Sequence, residues 1–224
     1  MVASDRAVGE RDRLSGALQA YERAVFGGDA EGLEAADRDL DAVEADVAIA
    51  RGRLLHARFL QDRSEPDDTE LALIERALEL YRRLGDTRAE GEASFWLGTF
   101  HQVVRGDEAT ARPALERAYE LSAAAGDDLT LSYAARHLGF AAMTAGDLGA
   151  ARERFEESVR LRRRIGFLPG LAAGLLALAE VDYAEGREAE ATALFDEADS
   201  VARDCATDGI VRIIAMVRAE LAVS

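Results

Sequence analysis

Three histidines are the residues of this sequence best suited to holding a metal ion, and their spacing argues against that role. His56, His101 and His137 are not paired at i, i+3 or i+4, and the single cysteine, Cys205, does not accompany them at the spacing of a zinc site. Positions on helix-packing faces or on the surface explain these histidines better. We therefore expect no metal site.

Motifs for covalent catalysis and cofactor binding are also missing from the sequence. It contains no G-x-S-x-G pattern and no lysine, which excludes a Schiff-base or P-loop lysine. Cys205 follows an aspartate and has no histidine nearby, so that formation of its thiolate is not favoured. With 43 acidic residues in the chain, any single pair of carboxylates is uninformative. We expect no catalytic residue and no cofactor.

Two charge runs each allow two interpretations. Arginines at positions 160 and 162–164 precede Gly166, where positive charge complements the C-terminal end of a helix dipole; an anion site is the alternative. The segment 29–46 holds eight acidic residues and one arginine. This composition indicates a solvated helix face, with a basic partner as the alternative.

Composition restricts the class of protein that positions these side chains. The chain has 224 residues, a net charge of −16 and 49% apolar residues, enough for a buried core. The negative charge would repel a phosphate backbone, which argues against direct nucleic-acid binding. No apolar stretch approaches the roughly 20 residues of a membrane span, and no secretory signal is evident. We expect a cytoplasmic protein, because a lone cysteine fits a reducing compartment; the absence of lysine and asparagine is typical of GC-rich bacterial coding.

A repeat of 40 residues organises the chain. Its turn glycines are Gly106, Gly146 and Gly186, and a second series of breaks at Gly85, Gly126 and Gly166 falls about half a period away. An alanine follows each of the first three glycines after five residues, and a leucine or phenylalanine follows after nine. A Leu-Gly or Leu-Ala pair precedes each turn, but the first pair, Leu97-Gly98, lies one residue further from its turn than the other two. Small and large residues at helical spacing predict two helices per repeat.

This pattern resembles the tetratricopeptide repeat (TPR) family in its long form, similar to the repeats of bacterial regulators and kinesin light chains. The resemblance is clearest over residues 88–205. It implies an all-α, right-handed solenoid of about five helical hairpins in a single domain, 1–224, with Phe155 and Phe195 buried between helix pairs. Helix breaks are expected near residues 28, 45, 66, 86, 106, 127, 146, 167, 186 and 208, with no β-strand.

A capping helix at about 209–222 should close the C-terminal end of the solenoid. Its core stripe consists of Ile210, Ile214, Val217 and Leu221. Further apolar residues, Val211, Ile213 and Met216, leave Arg212 as almost the only charge on the far side. A helix of this kind suggests contact on a second side, and we expect a homodimer formed through it.

The resemblance also indicates where a ligand would bind, because the first helix of each TPR hairpin lines the concave surface. Columns at steps of three or four from each Leu-Gly or Leu-Ala pair would share that face. The implied binding residues are Phe95, Thr99, Arg136, Phe140, Met143, Leu176, Glu180 and Tyr183. Aromatic and thioether groups suit an apolar ligand, and Arg136 can pair with a carboxylate. The alternative is that these side chains only pack within a tight superhelix.

The predicted function is therefore binding without catalysis. We expect an adaptor or regulatory module that recognises a peptide or protein segment in its concave groove. A sensor or binding protein for a small apolar or acidic molecule is the first alternative, and an enzyme of secondary metabolism on a helical-repeat scaffold is the second. An open, continuous groove favours the peptide, whereas a closed pocket of roughly 300–1,000 Å³ favours the small molecule.

Overall fold

The computed structural model describes residues 2–62 and 68–222, with side chains described for 11–62 and 68–221. Within these ranges the chain forms ten α-helices and one π-helical segment, and no strand. The helices are α1 (Val2–Gly27), α2 (Leu33–Asp62), α3 (Asp68–Leu84), α4 (Thr87–Thr99), α5 (Glu108–Ala125), α6 (Asp128–Thr144), α7 (Leu148–Ile165), α8 (Leu168–Ala184), α9 (Glu188–Asp204) and α10 (Asp208–Ala222). The π-helical segment, Phe100–Val104, continues α4.

Glycine-aspartate turns separate several of these helices. Gly126 has a φ of 65°, a left-handed conformation that glycine adopts without strain, and Asp127 then caps α6 by accepting a hydrogen bond from the backbone N–H of Thr130 at 3.2 Å. The same cap is made by Asp86, Asp107 and Asp147. The breaks predicted near residues 28, 86, 106, 127, 146, 167, 186 and 208 are confirmed, whereas the one near 66 lies outside the described residues.

The break predicted near residue 45 is wrong, because α2 runs without interruption from Leu33 to Asp62. Residues 41–50 contain neither glycine nor proline, so that nothing in the sequence ends the helix there. Ala45, Ala48 and Ile49 form a buried stripe through this point. Since α2 contacts both α1 and α3, it belongs to two helix pairs. The pairs are α1–α2, α2–α3, α4–α5, α6–α7 and α8–α9, with α10 packed at the C-terminal end.

Small residues on the first helix of a hairpin leave room for a large residue on the second. A Cβ atom at Gly98 would lie 2.6 Å from Cγ of Leu115, and one at Gly139 would lie 2.6 Å from Cε1 of Phe155. Phe155 is fully buried and Phe195 is buried in the same core cluster, which confirms the prediction for both. The close approach of the paired helices therefore depends on these small–large contacts.

The π-helical segment absorbs the extra residue between Leu97-Gly98 and its turn. The backbone N–H of Arg105 donates to the carbonyl of Phe100, five residues earlier, at 3.1 Å. A bond over five residues widens one turn and accommodates one more residue than an α-helical turn. The chain then turns at Gly106, whose φ is 63°, and α5 packs against α4 as in the other hairpins.

Helix α10 covers one end of the core and leaves part of its surface exposed. Ile214 is buried, and the other three members of the predicted stripe pack against the core cluster. Ile213 and Met216 remain 46% and 54% exposed. In the described ranges, no helix combines the length and the apolar character needed to cross a membrane.

Candidate binding site

A cavity of about 840 Å³ lies between α2, α4, α6 and the π-helical segment. Apart from Asp127 in the turn before α6, every lining residue belongs to one of these elements. Its wall contains the aromatic residues Phe95, Trp96, Tyr133 and Phe140, the arginines Arg53, Arg88 and Arg136, and the histidines His56 and His137. The lining helices α4 and α6 are the first helices of their hairpins, so that the cavity occupies the face that the resemblance assigns to ligands.

Four of the eight residues predicted from the repeat line this cavity, and four do not. Phe95, Thr99, Arg136 and Phe140 belong to the lining. The other four residues, Met143, Leu176, Glu180 and Tyr183, lie outside it. This cavity therefore brings together only half of the predicted residues, and partner contact by any of the eight stays a prediction.

The four residues outside the cavity lie in other surroundings. Leu176 is buried in the core cluster, and Met143 packs against that cluster. The hydroxyl of Tyr183 donates to the carbonyl of Leu221 in α10 at 2.6 Å, and Tyr183 lines a separate cavity of about 390 Å³. Glu180 is half-buried, and burial raises the pKa of its carboxyl group, although the nearby charge of Arg136 lowers it.

Aromatic rings form a continuous wall around the cavity. The ring centroid of Phe95 lies 5.2 Å from that of Trp96, 5.3 Å from that of Tyr133 and 5.3 Å from that of His137. His56 extends the wall to α2, because its ring meets Trp96 edge-on at 5.5 Å. These separations are those of favourable aromatic pairs, and the wall offers flat apolar surface to a ligand.

Gln102, in the π-helical segment, fixes the orientation of His137. The Gln102 side-chain nitrogen donates to the Glu108 carboxylate at 3.1 Å and to the backbone carbonyl of His137 at 3.1 Å. Its side-chain oxygen lies 2.6 Å from Nδ1 of His137. The pKa of His137 is lowered to about 3, first by burial and then by the positive charges of Arg136 and Arg162. The imidazole is therefore neutral near pH 7.

Three arginines line the cavity, and two of them have carboxylate partners. Arg53 pairs with Glu92, and Nε of Arg88 lies 3.2 Å from Oδ2 of Asp127. Among the described residues, Arg136 donates from Nε alone, to the carbonyl of Ala173 at 3.3 Å, and its guanidinium lies 4.5 Å from the ring centroid of Phe140. Burial lowers the pKa of Arg136 to about 10, although the charge of Glu180 offsets part of this effect.

Arg162 differs from the other arginines of its run, because it is only 1% exposed. It donates to the carbonyl of Gly170 at 2.7 Å and to Oγ of Ser132 at 3.3 Å, and its guanidinium lies 5.1 Å from the ring centroid of Tyr133. Its pKa is lowered to about 9, first by burial and then by the charge of Arg136. All three arginines lie in the last turn of α7, as the helix-end interpretation requires, but only Arg163 and Arg164 are exposed and paired with acidic residues.

Two buried polar groups of residues in the cavity wall have no hydrogen-bond partner among the described residues. They are the hydroxyl of Thr99, a residue 3% exposed, and the indole N–H of Trp96. Buried polar atoms of this kind are usually satisfied, by protein, water or a ligand. Their position in the cavity wall makes them candidates for ligand contact.

A second cleft adjoins the cavity. It measures about 650 Å³ and lies at the turns before α6 and α8. The two spaces share Arg88, Asp127, Leu129 and Tyr133 in their walls. The cavity and the cleft are therefore adjacent and are separated by a shared set of side chains.

The part of the chain that the structure describes contains no cluster of side chains suited to binding a metal ion. No group of three or more His, Cys, Asp or Glu side chains is placed there to hold an ion. His56 instead lies 3.0 Å from the Glu70 carboxylate through Nδ1, in a buried contact between α2 and α3.

Comparison with known proteins identifies the fold. No family profile matches the chain, and no curated protein is significantly similar to it. Among solved structures it is similar to BtubC (BKLC) from P. vanneervenii, with 16% identity and a TM-score of 0.56, over 90% of this chain and 91% of that one. It is also similar to a kinesin light chain candidate from Podosopora anserina with nearly identical TPR-like repeats, with 15% identity and a TM-score of 0.56, over 79% of this chain and 89% of that one. The chain thus has the fold of a TPR-like α-solenoid.

Proposed function

We propose that this protein is a non-catalytic binding module that holds an extended segment of a partner protein along its concave side, with one flat apolar side chain anchored in the cavity between α2, α4 and α6. TPR-like scaffolds generally mediate protein interactions, and the fold is shared with them. The observation that carries the proposal is the aromatic wall on the concave side. It gives the anchor a preformed apolar surface with a few polar groups, which is the usual composition of a recognition site.

The continuity of the concave side favours an extended ligand. The cavity and the cleft before α6 and α8 are neighbours that share the wall residues Arg88 and Tyr133. A chain anchored at Phe95 and Trp96 can therefore continue past Tyr133 without leaving the surface. Two exposed apolar residues in the wall of the cleft, Leu129 and Ile165, add contact area.

The polar groups of the cavity support binding and not catalysis. Nδ1 of His137 is held by Gln102, and Nδ1 of His56 by Glu70. Nucleophilic catalysis needs a base that is hydrogen-bonded to a hydroxyl or a thiol. Among the lining residues, neither histidine makes such a bond.

The test is selection from a random-peptide library displayed on phage, with the full chain as bait. Peptides enriched on the wild type should bind at least tenfold more weakly to Arg136→Ala and Phe140→Leu, because each variant removes one contact of the cavity wall. Arg160→Ala is the matched control, since Arg160 is an exposed arginine of α7. Circular dichroism verifies that all variants keep their helix content. Peptides that bind every variant equally would move the binding site away from the concave side.

A small-molecule binding protein is the second candidate, favoured by the size of the cavity. Its volume of about 840 Å³ lies within the range of small-molecule sites. A peptide library that yields no enriched sequence, together with stabilisation of the chain by a fraction of small cell metabolites, would favour this candidate over the first.

A further inference from the structure

We infer that the cavity selects an aromatic group that carries an O–H or N–H donor, and that Gln102 determines this preference by fixing His137 as a hydrogen-bond acceptor. This inference rests on the proposed function, because it assumes that the cavity is the binding site. It names the chemistry of the group that the cavity holds.

The first step assigns the atoms of the Gln102 side-chain amide. One end of this amide lies within hydrogen-bond distance of two acceptors, the Glu108 carboxylate and the backbone carbonyl of His137. Only the NH₂ group can donate to both, because an oxygen at that place would face two other oxygens. The amide oxygen must then face His137.

The second step assigns the proton on His137. The Gln102 oxygen is an acceptor, and it lies 2.6 Å from Nδ1 of His137. Nδ1 must therefore carry a proton. Since burial and the nearby arginines keep this imidazole neutral, Nε2 carries none and presents a lone pair. Nε2 has no hydrogen-bond partner among the described residues.

The third step concerns the ligand. His137 lines the cavity beside Phe95 and Phe140, to which its ring lies 5.3 Å and 6.4 Å away. A flat aromatic group that packs against this wall lies beside the His137 ring, and we infer that the Nε2 lone pair is within its reach. An O–H or N–H on that group can satisfy Nε2, whereas an ether oxygen or an N-methyl group leaves it unsatisfied in a buried place.

The π-helical segment is what brings Gln102 to this position. The extra residue between Gly98 and Gly106 has no counterpart in the other two hairpins, in which the corresponding turn stays α-helical. Gln102 and Val103, both in this segment, line the cavity. The acceptor on His137 therefore depends on a local departure from the repeat.

The test compares two probes that differ by one methyl group, 4-ethylphenol and 4-ethylanisole. Trp96 is the single tryptophan of the chain and lines the cavity, so that its fluorescence reports binding there. The phenol should bind the wild type about tenfold more tightly than the methyl ether. In Gln102→Leu the imidazole can turn its proton to Nε2, and this ratio should fall to about twofold or less. Gln19→Leu, the same change at an exposed position of α1, should keep the wild-type ratio.

Nitrogen NMR of histidine-labelled protein tests the tautomer without any ligand. The inference requires that the His137 signals show a protonated Nδ1 and an unprotonated Nε2 in the wild type, and that Gln102→Leu changes this pattern. A wild-type imidazole protonated at Nε2 would overturn the assignment. Equal affinities for the two probes, or binding of neither, would overturn the selection for a donor. The proposed function would still stand after either result if the peptides selected on the wild type bind more weakly to Arg136→Ala and Phe140→Leu.

Discussion

The contact between Gly139 and Phe155 allows the packing of a hairpin to be tested with one added methyl group. A Cβ atom at Gly139 would lie 2.6, 2.7 and 3.0 Å from three atoms of the Phe155 ring. That ring is fully buried and cannot move aside. Gly139→Ala therefore introduces overpacking of about 3 kcal/mol, the upper end of the usual range, against a gain of about 1 kcal/mol in helix propensity. We expect a net destabilisation of about 2 kcal/mol.

The same substitution should change sign when the ring is removed. Phe155→Ala alone should destabilise the protein by about 3–5 kcal/mol, because it leaves a cavity in the core. In that background the methyl group of Gly139→Ala meets no ring, so that only the propensity gain of about 1 kcal/mol remains. The two substitutions should thus be coupled by about 3 kcal/mol.

Urea denaturation of the four proteins in this cycle measures the coupling. Circular dichroism and Trp96 fluorescence should both be recorded, since unfolding of a repeat protein need not be two-state. Gly16→Ala is the matched control, because no atom lies within 4 Å of the Cβ position in α1 and the substitution should stabilise by about 0.5–1 kcal/mol. If Gly139→Ala stabilises as much as Gly16→Ala, or if the two effects in the cycle are additive, the packing described for this hairpin is refuted.

Three further predictions concern charge, capping and assembly. Burial holds the pKa of His137 near 3 in the folded protein, against 6.5 in the unfolded chain, so that only the unfolded state gains this proton as the pH falls. Stability should therefore drop by about 3 kcal/mol between about pH 6.5 and about pH 4 through this residue, and urea titrations should show a flatter pH dependence for His137→Asn. Asp147→Ala should cost about 1 kcal/mol in thermal or urea unfolding, because it removes the 2.9 Å cap on the N–H of Ala150. Met216→Glu should dissociate a homodimer formed through α10, and light scattering that finds only monomers of the wild type at high micromolar concentration would contradict this assembly.

The fold was predictable where small, large and turn residues recur together. Gly139 and Phe155 occupy fixed positions relative to the glycine turns of the repeat. Because glycine turns set both ends of the hairpin, the structure brings these two residues into contact. The prediction was wrong at residue 45, where the period was extended backwards into a segment without a turn residue. A repeat period places a helix end only where the local sequence can end a helix.

The site was only half predictable, because its members depend on how the helices curve around one another. Spacing along α4 and α6 correctly identified Phe95 and Phe140 as lining residues. It could not show that α2 supplies His56 to the same cavity, or that α10 covers Tyr183. Trp96 and Tyr133 lie beside predicted residues, so that a wider helical face would have included them.

Burial of Arg162 was missed for a similar reason. The space for its side chain is provided by two glycines of the next helix, since a Cβ atom at Gly170 would lie 3.1 Å from its Cδ and one at Gly174 would lie 3.6 Å from its Nη1. A run of arginines before a turn has the same appearance whether or not the neighbouring helix leaves this space. The sequence pattern alone therefore indicates a basic helix end and does not reveal which arginine is buried.

The single extra residue of the π-helical segment has a consequence for any attempt to redesign this solenoid. A consensus repeat averaged over the hairpins α4–α5, α6–α7 and α8–α9 would delete that residue, because two of the three hairpins lack it. The averaged protein would keep every small–large contact and would be expected to fold. It would no longer place Gln102 opposite His137, so that a design scored on stability alone would discard the contact that we propose sets the ligand preference.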